Sequence, residues 1–284
     1  MSSRDPRALL RNAGLRPKKG FGQNFLVAEP IARAIAVACV PDEHVRKARI
    51  VEIGAGTGAL TRWLAERARS VIAIERDRDL VPLLQRELAG TCVTVLEADA
   101  QSVDLVALLG DAEESSPRIL CGNLPYALTG PLLRRAVENA GDLERVVFMV
   151  QQEVANRLGA QRGTKEWGAL TVFVRAAYDV RRVLRATPGA FHPAPDVTSA
   201  VIELSPLRPP RARETARFRA LVRGAFEQRR KTLRNAWSRL EADGATLERA
   251  AARAGVALDS RGESLDVESF SRMAEALEEL SVLR

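Results

Sequence analysis

The tetrapeptide Asn123-Leu124-Pro125-Tyr126 gathers three groups suited to handling the amino group of a planar base. Pro125 keeps Leu124 extended, so the Leu124 carbonyl and the Asn123 amide are held in one direction. An exocyclic amine is a poor nucleophile because its lone pair is delocalised into the ring. Two acceptors, the Asn123 side-chain oxygen and the Leu124 carbonyl, can bind its two hydrogens and bias the nitrogen toward tetrahedral geometry. The lone pair then points at an electrophilic carbon such as a sulfonium methyl. No strong general base is needed, and rate comes from in-line positioning and from local balancing of the lost sulfonium charge. Tyr126 can stack on a flipped base, and Phe191, in the Pro-rich stretch 187–195, can cover its other face. A strand exit with a buried tyrosine does not explain why an amide, a constrained carbonyl and an aromatic ring coincide.

A second constellation lies upstream. In VEIGAGTGAL, residues 51–60, glycines at 54, 56 and 58 let the backbone approach a ligand without Cβ obstruction, and the spacing fits a dinucleotide fingerprint. Glu75 follows Gly54 by 21 residues, where an acid accepts hydrogen bonds from both ribose hydroxyls. Taken alone, this pair does not separate a nicotinamide site from an S-adenosylmethionine site. Asp99, in the run EADA at 97–100, is placed to accept the exocyclic amino hydrogen of adenine. A turn or N-cap role is the structural alternative for it.

These residues need a scaffold, and the hydrophobic pattern supplies one. From residue 50, short β-branched runs alternate with helix-period stretches: 50–53 then 57–68, 71–74 then 80–88, 93–96, 119–121 then 132–139, and 146–150 then 153–158. Strand, helix, strand at this spacing means crossover units, hence an α/β fold with a parallel sheet covered by helices on both faces. The glycine turn, Glu75, Asp99 and Asn123 then all fall at carboxyl ends of strands, where such sheets bind ligands. Runs at 169–178 and 197–204 read as late strands around the Pro-rich connection. The stretch SPLRPPR, 205–211, ends the strand pattern. It places a boundary between a domain of residues 1–205 and a small all-α domain of 206–284, where Phe218, Leu221, Val222 and Phe226 share a helical face.

Composition narrows the chemistry. The chain has 284 residues, 46% hydrophobic and 28% charged, an ordinary globular balance. No apolar run approaches the ~18 residues of a membrane span, and no signal peptide is evident, so a cytoplasmic location is expected. Three cysteines without a CxxC and two histidines make neither a disulfide framework nor a zinc site, and no metal is expected. The net charge of +7 is unevenly spread: residues 1–24 carry +5 and residues 208–239 carry +9, leaving −7 on the rest. Two basic segments on an acidic body suit a polyanionic partner, most simply nucleic acid.

At this point the chain resembles the small-subunit ribosomal RNA adenine N6-dimethyltransferases. The likeness rests on LRPKKGFGQNFL (15–26), VEIGAGTGALT (51–61), IERD (74–77), GNLPY (122–126), FMVQQEVANRL (148–158), FHPAPDV (191–197), FEQRRKTLRN (226–235) and RGESL (261–265). It implies a Rossmann-like class I methyltransferase domain with a small all-α C-terminal domain. S-adenosyl-L-methionine is the implied cofactor, bordered by Asn24, Leu26, Gly54, Gly56, Glu75, Asp99 and Asn123. The target adenine would be held by Asn123, Leu124, Pro125, Tyr126 and Phe191. The implied substrate is a pair of adjacent adenosines near the 3′ end of 16S rRNA, each receiving two methyl groups on the assembling small subunit, with the enzyme acting as a monomer. Gln228, Arg229, Arg230, Lys231 and Arg234 would face the RNA. Ala127 and Trp167 depart from the family's usual residues. Three alternatives stand beside this reading. Large-subunit rRNA methyltransferases share the cofactor motifs and an Asn-x-Pro-Tyr-type loop, but RRKTLRN and RGESL favour the small-subunit group. A nicotinamide-dependent oxidoreductase gives the Asn123–Tyr126 loop no role. A non-catalytic assembly factor leaves that loop equally unexplained.

Overall fold

A computed structural model describes residues 5–111, 116–240 and 243–282. In chain order its elements are α1 (Pro6–Asn12), β1 (Phe25–Leu26), α2 (Glu29–Cys39), β2 (Arg49–Ile53), α3 (Thr61–Arg67), β3 (Ser70–Glu75), α4 (Val81–Glu87), β4 (Val93–Glu97) and β5 (Arg118–Asn123). There follow α5 (Thr129–Glu138), β6 (Arg145–Gln151), α6 (Gln152–Leu158), α7 (Ala169–Ala177), β7 (Tyr178–Ala186), β8 (Phe191–His192) and β9 (Ser199–Pro206). The last elements are α8 (Ala216–Glu227), α9 (Leu233–Trp237), α10 (Gly244–Ala254) and α11 (Val267–Val282).

Seven strands form one sheet in the order β4-β3-β2-β5-β6-β9-β7. β2, β3, β4, β5 and β6 run parallel, and β9 joins β6 antiparallel. The runs read as strands in the sequence are nearly continuous apolar stretches because both faces of the sheet are covered: Ile50, Val51, Ile119, Leu120 and the whole of 146–150 are buried. The chain proceeds outward from β2 through β3 to β4, then returns to β5 on the other side of β2. That reversal is the topological switch point, and it opens a crevice beyond the carboxyl ends of β2 and β5. β1 and β8 pair antiparallel as a separate two-stranded ribbon, with Phe25 opposite His192 and Leu26 opposite Phe191.

The chain divides into two units, Met1–Ala155 with Val180–Pro206, and Asn156–Asp179 with Leu207–Arg284. This differs from a single linear boundary at 205/206. Residues 156–179 group with the C-terminal helices because Trp167, Val172 and Ala176 pack into the core built by Phe218, Leu221, Trp237 and Phe270. The late strand expected at 169–178 is a correction of the same origin. Thr171, Val172 and Val174 favour a strand by local preference, yet the segment is α7. As a helix it puts Val172 and Ala176, one turn apart, against that core, and the Thr171 hydroxyl donates to the Arg157 carbonyl at 2.8 Å. Tertiary packing overrides a modest propensity. The strand is displaced downstream to β7. Within the helical unit, Trp237 is buried with its indole N–H donated to the Leu221 carbonyl at 2.9 Å, and α8 is capped by the Thr215 hydroxyl accepting the Phe218 N–H.

Candidate active site

The crevice at the switch point is a cavity of about 390 Å³, within the range of small-molecule sites. Its first wall is the turn after β2. Gly56 sits there at φ +61°, and a Cβ on it would stand 3.0 Å from the Phe25 ring, so both conformation and space call for glycine. The turn is pinned from β3: Glu75 accepts the Gly56 N–H and the Asp77 N–H, each at 2.8 Å. Burial raises the Glu75 pKa above the ordinary carboxylate value, the two N–H donors oppose that rise, and the Asp77 charge adds to it. Asp99 lines the cavity beyond β4. It accepts the Gln101 N–H at 2.9 Å, as a turn residue does, and lies 3.4 Å from the Arg76 guanidinium.

The second wall is a strap, residues 18–26, which composition gave no reason to place here. Lys18 Nζ lies 2.6 Å from both Asp77 Oδ1 and Asp79 Oδ2, and the Gln23 amide donates to Asp77 Oδ2 at 2.8 Å. The Phe21 ring has the Lys18 ammonium and the Arg76 guanidinium each 5.5 Å from its centroid. β1 then ties the end of the strap to β8. Burial pushes the Asp77 carboxyl up, but the Lys18 and Gln23 hydrogen bonds and the Asp79 N–H outweigh it and hold the group below its usual range. A depressed folded value contributes stability that is present above the unfolded value and lost as pH falls through the folded one. The strap is therefore expected to loosen in acid, below about pH 4. Asp77→Asn should reproduce this at neutral pH, as faster amide exchange over 18–26 and several-fold weaker ligand binding in the cavity.

The third wall is the segment leaving β5. Asn123 donates its amide N–H to the Asn24 carbonyl at 2.9 Å, so the strap orients the side chain and leaves Oδ1 as the acceptor on the other side. The Leu124 side chain is buried and its N–H donates to the Met149 carbonyl, while its carbonyl accepts no hydrogen bond among the described residues. Tyr126 is half-buried with its hydroxyl 2.9 Å from Ser199 Oγ. Asn24, Leu26, Gly54, Gly56, Glu75, Asp99, Asn123, Leu124, Pro125 and Tyr126 all line the one cavity.

Phe191 does not join them. Its side chain is buried, 3% exposed, in a core with Leu26, Ile35 and Val201, so the ring that was to cover a base anchors β8 instead. Sequence reasoning passed over Glu52, Phe21, Gln23 and Arg76, which the fold brings to the cavity or its strap. The signal available was their place inside the FGQNF, VEIG and IERD runs. Three carboxyl groups, Glu52, Glu75 and Asp99, line the cavity with one cation, Arg76, among the described residues. An acidic lining suits a cationic ligand and opposes a dinucleotide's pyrophosphate.

The basic residues divide in two. Arg229 lies 2.8 Å from Glu263 and donates to the Thr164 carbonyl, and Arg234 is paired with Glu248 and Asp259. These two are paired within the helical unit instead of presenting free charge. Arg230 and Lys231 are exposed, with no partner among the described residues. Arg7, Arg11 and Arg16 are exposed near the N-terminus, and Arg4 lies outside the described residues.

A family model described as ribosomal RNA adenine dimethylase matches residues 14–279. A ribosomal RNA small subunit methyltransferase A of Anaeromyxobacter sp. (strain K) is 43% identical, the match covering 96% of this chain and 97% of the relative. Its namesake in Geobacter metallireducens is 39% identical, with 94% and 98% covered. Among solved structures, a dimethyladenosine transferase of Plasmodium falciparum superposes with a TM-score of 0.75 at 22% identity, covering 90% of this chain and 98% of that one. The 23S rRNA methyltransferase ErmE gives 0.66 at 27% identity, with 90% and 100% covered. The first of these supports the Rossmann-like fold alone. With the family model spanning almost the whole chain and relatives matched end to end, this chain belongs to the ribosomal RNA adenine dimethylase family and is an S-adenosylmethionine-dependent methyltransferase.

Proposed function

We propose that the chain methylates the N6 amino groups of two adjacent adenosines near the 3′ end of 16S rRNA, giving N6,N6-dimethyladenosine. It does so as a cytoplasmic monomer on the assembling small subunit. The observation that carries this reading is the orientation of Asn123. With its amide N–H given to Asn24, Oδ1 is the group left to accept a hydrogen from an adenine amino group, beside the unengaged Leu124 carbonyl. S-adenosylmethionine, when bound, supplies an electrophilic methyl. Glu75 is suited to its ribose, Asp99 to its adenine, and the turn at Gly54 and Gly56 to close backbone approach. Asn123 and Leu124 then hold the target amine in line, and Tyr126, fixed through Ser199, offers the stacking surface. Small-subunit action is favoured over large-subunit action by relatives that bear the small-subunit name at 43% and 39% identity, against 27% for ErmE.

No described helix is long and apolar enough to cross a membrane. RNA contact is assigned to Arg230 and Lys231, two exposed cations of the helical unit without a side-chain partner among the described residues, with Arg229 and Arg234 shaping the surface that presents them. Arg230→Ala and Lys231→Ala should each weaken RNA binding and flatten the dependence of log affinity on log salt by about 0.7 per lost phosphate contact. Arg229→Ala should lower Tm, since it strips Glu263 of its partner. The test of function offers undermethylated small and large subunits with labelled donor, then digests the RNA. Labelled N6,N6-dimethyladenosine from the small subunit is expected. Label only in the large-subunit RNA would overturn the substrate assignment.

A further inference from the structure

Glu52 lies on β2, 1% exposed, where it lines the donor cavity. Its Oε2 has no hydrogen-bond partner among the described residues, and the buried hydroxyl of Thr57, which lines the same cavity, has none either. Among the described residues, the groups acting on Glu52 include no cation. Glu75 on β3 adds a like charge, and Thr61 on α3 adds only a hydroxyl. Cys121 on β5 is a buried thiol beside Cys39 of α2, its own ionisation pushed up by burial. A carboxylate left alone in such surroundings pays the full cost of desolvation, so the neutral form prevails. Burial, reinforced by Glu75 and only partly offset by Thr61, raises this carboxyl to about 8.

From this setting we infer that Glu52 is a carboxylic acid while the cavity is empty and releases its proton to solvent when the cationic donor binds, so that donor uptake and proton release are coupled. The inference rests on the donor-binding reading of the cavity. The donor brings what the surroundings of Glu52 lack. S-adenosylmethionine carries a sulfonium and an α-ammonium, and either can stabilise the carboxylate in a dry site. Its demethylated product, S-adenosylhomocysteine, keeps only the ammonium. Binding that releases one proton strengthens as pH rises, and it stops doing so above the pKa of the empty protein's group.

Isothermal titration of the whole protein with S-adenosylmethionine, in two buffers of different ionisation enthalpy, measures the protons released. Close to one per donor is expected at pH 7, falling toward none by pH 9. Donor affinity should rise by up to about tenfold per pH unit below about pH 8 and then level off. The donor's own α-amino group titrates near this range, at about 8. Glu52→Gln, which keeps shape but cannot ionise, isolates that contribution, and the difference between the two proteins is the Glu52 proton. Infrared difference spectra of the unmutated protein read the same event without a variant, as loss of a protonated-carboxyl band on donor binding. Titration with S-adenosylhomocysteine shows which charge is sensed, because only the ammonium can then favour ionisation of Glu52. Equal proton release by Glu52→Gln and the unmutated protein, or a carboxyl band that persists with donor bound, would overturn the coupling. Binding without proton release overturns the coupling alone, whereas no binding overturns the donor reading with it.

Discussion

Replacing Asn123 by alanine is expected to slow methyl transfer by about 10²–10³-fold while RNA affinity stays essentially unchanged. The side chain supplies one of two acceptors for the target amine, and it is held in a single orientation by the Asn24 carbonyl. Removing it leaves the Leu124 carbonyl to hold one hydrogen, and the amine is free to rotate its lone pair out of line. The loss should fall on kcat, because the amide matters most as the nitrogen becomes tetrahedral. Donor affinity should weaken only modestly, since Gly56, Glu75 and Asp99 remain in place. Single-turnover rates with saturating donor separate these effects. A variant with normal kcat and only a raised KM for RNA would show that Asn123 binds substrate without positioning the reacting nitrogen.

Gly122→Ala should be the most destabilising single-methyl change in this region. A Cβ at Gly122 would lie 2.4 Å from the Ile53 carbonyl oxygen and 3.2 Å from Leu124 Cδ2. The first of these is backbone of β2, which is parallel to β5 and buried, so neither strand can give way without breaking the central pairing. Overpacking of this kind costs about 3 kcal/mol or more, a large share of the roughly 5–15 kcal/mol that keeps a domain folded. Thermal melts should show a drop of many degrees or insoluble protein. A Tm equal to that of the unmutated chain would mean that β2 and β5 do not approach each other as described. Any protein that does fold should lose activity, because Asn123 is the next residue.

The central parallel strands were legible because burial on both faces writes them as nearly unbroken apolar runs, and the positions of Glu75, Asp99 and Asn123 followed from lying within three residues of the ends of the runs. The strap was not legible from pattern. Its place depends on Lys18 and Gln23 meeting Asp77, and on Leu26 pairing with Phe191, contacts between residues far apart in the chain that no local period encodes. The resemblance marked GQNFL as a cofactor border without saying what holds it there. Segment 169–178 misled because its β-branched residues carry the same composition whether they pack in a strand or on one helix face. Phe191 was assigned from its neighbourhood in sequence, whereas its ring direction is decided by the core beneath β8. Charge counts found the basic helical unit but could not see that Arg229 and Arg234 are consumed by Glu263, Glu248 and Asp259. Glu52 reads as one acid in an apolar strand. Only the fold reveals that it faces a ligand cavity with an unpartnered oxygen.

The central claim is geometric, and a crystal structure of the protein with S-adenosylhomocysteine and a short single-stranded RNA bearing two adjacent adenosines tests it most directly. One adenine should lie against Tyr126 with its N6 about 2.7–3.2 Å from both Asn123 Oδ1 and the Leu124 carbonyl oxygen, facing the sulfur. An adenine bound elsewhere, with Asn123 turned away from it, would contradict the mechanism.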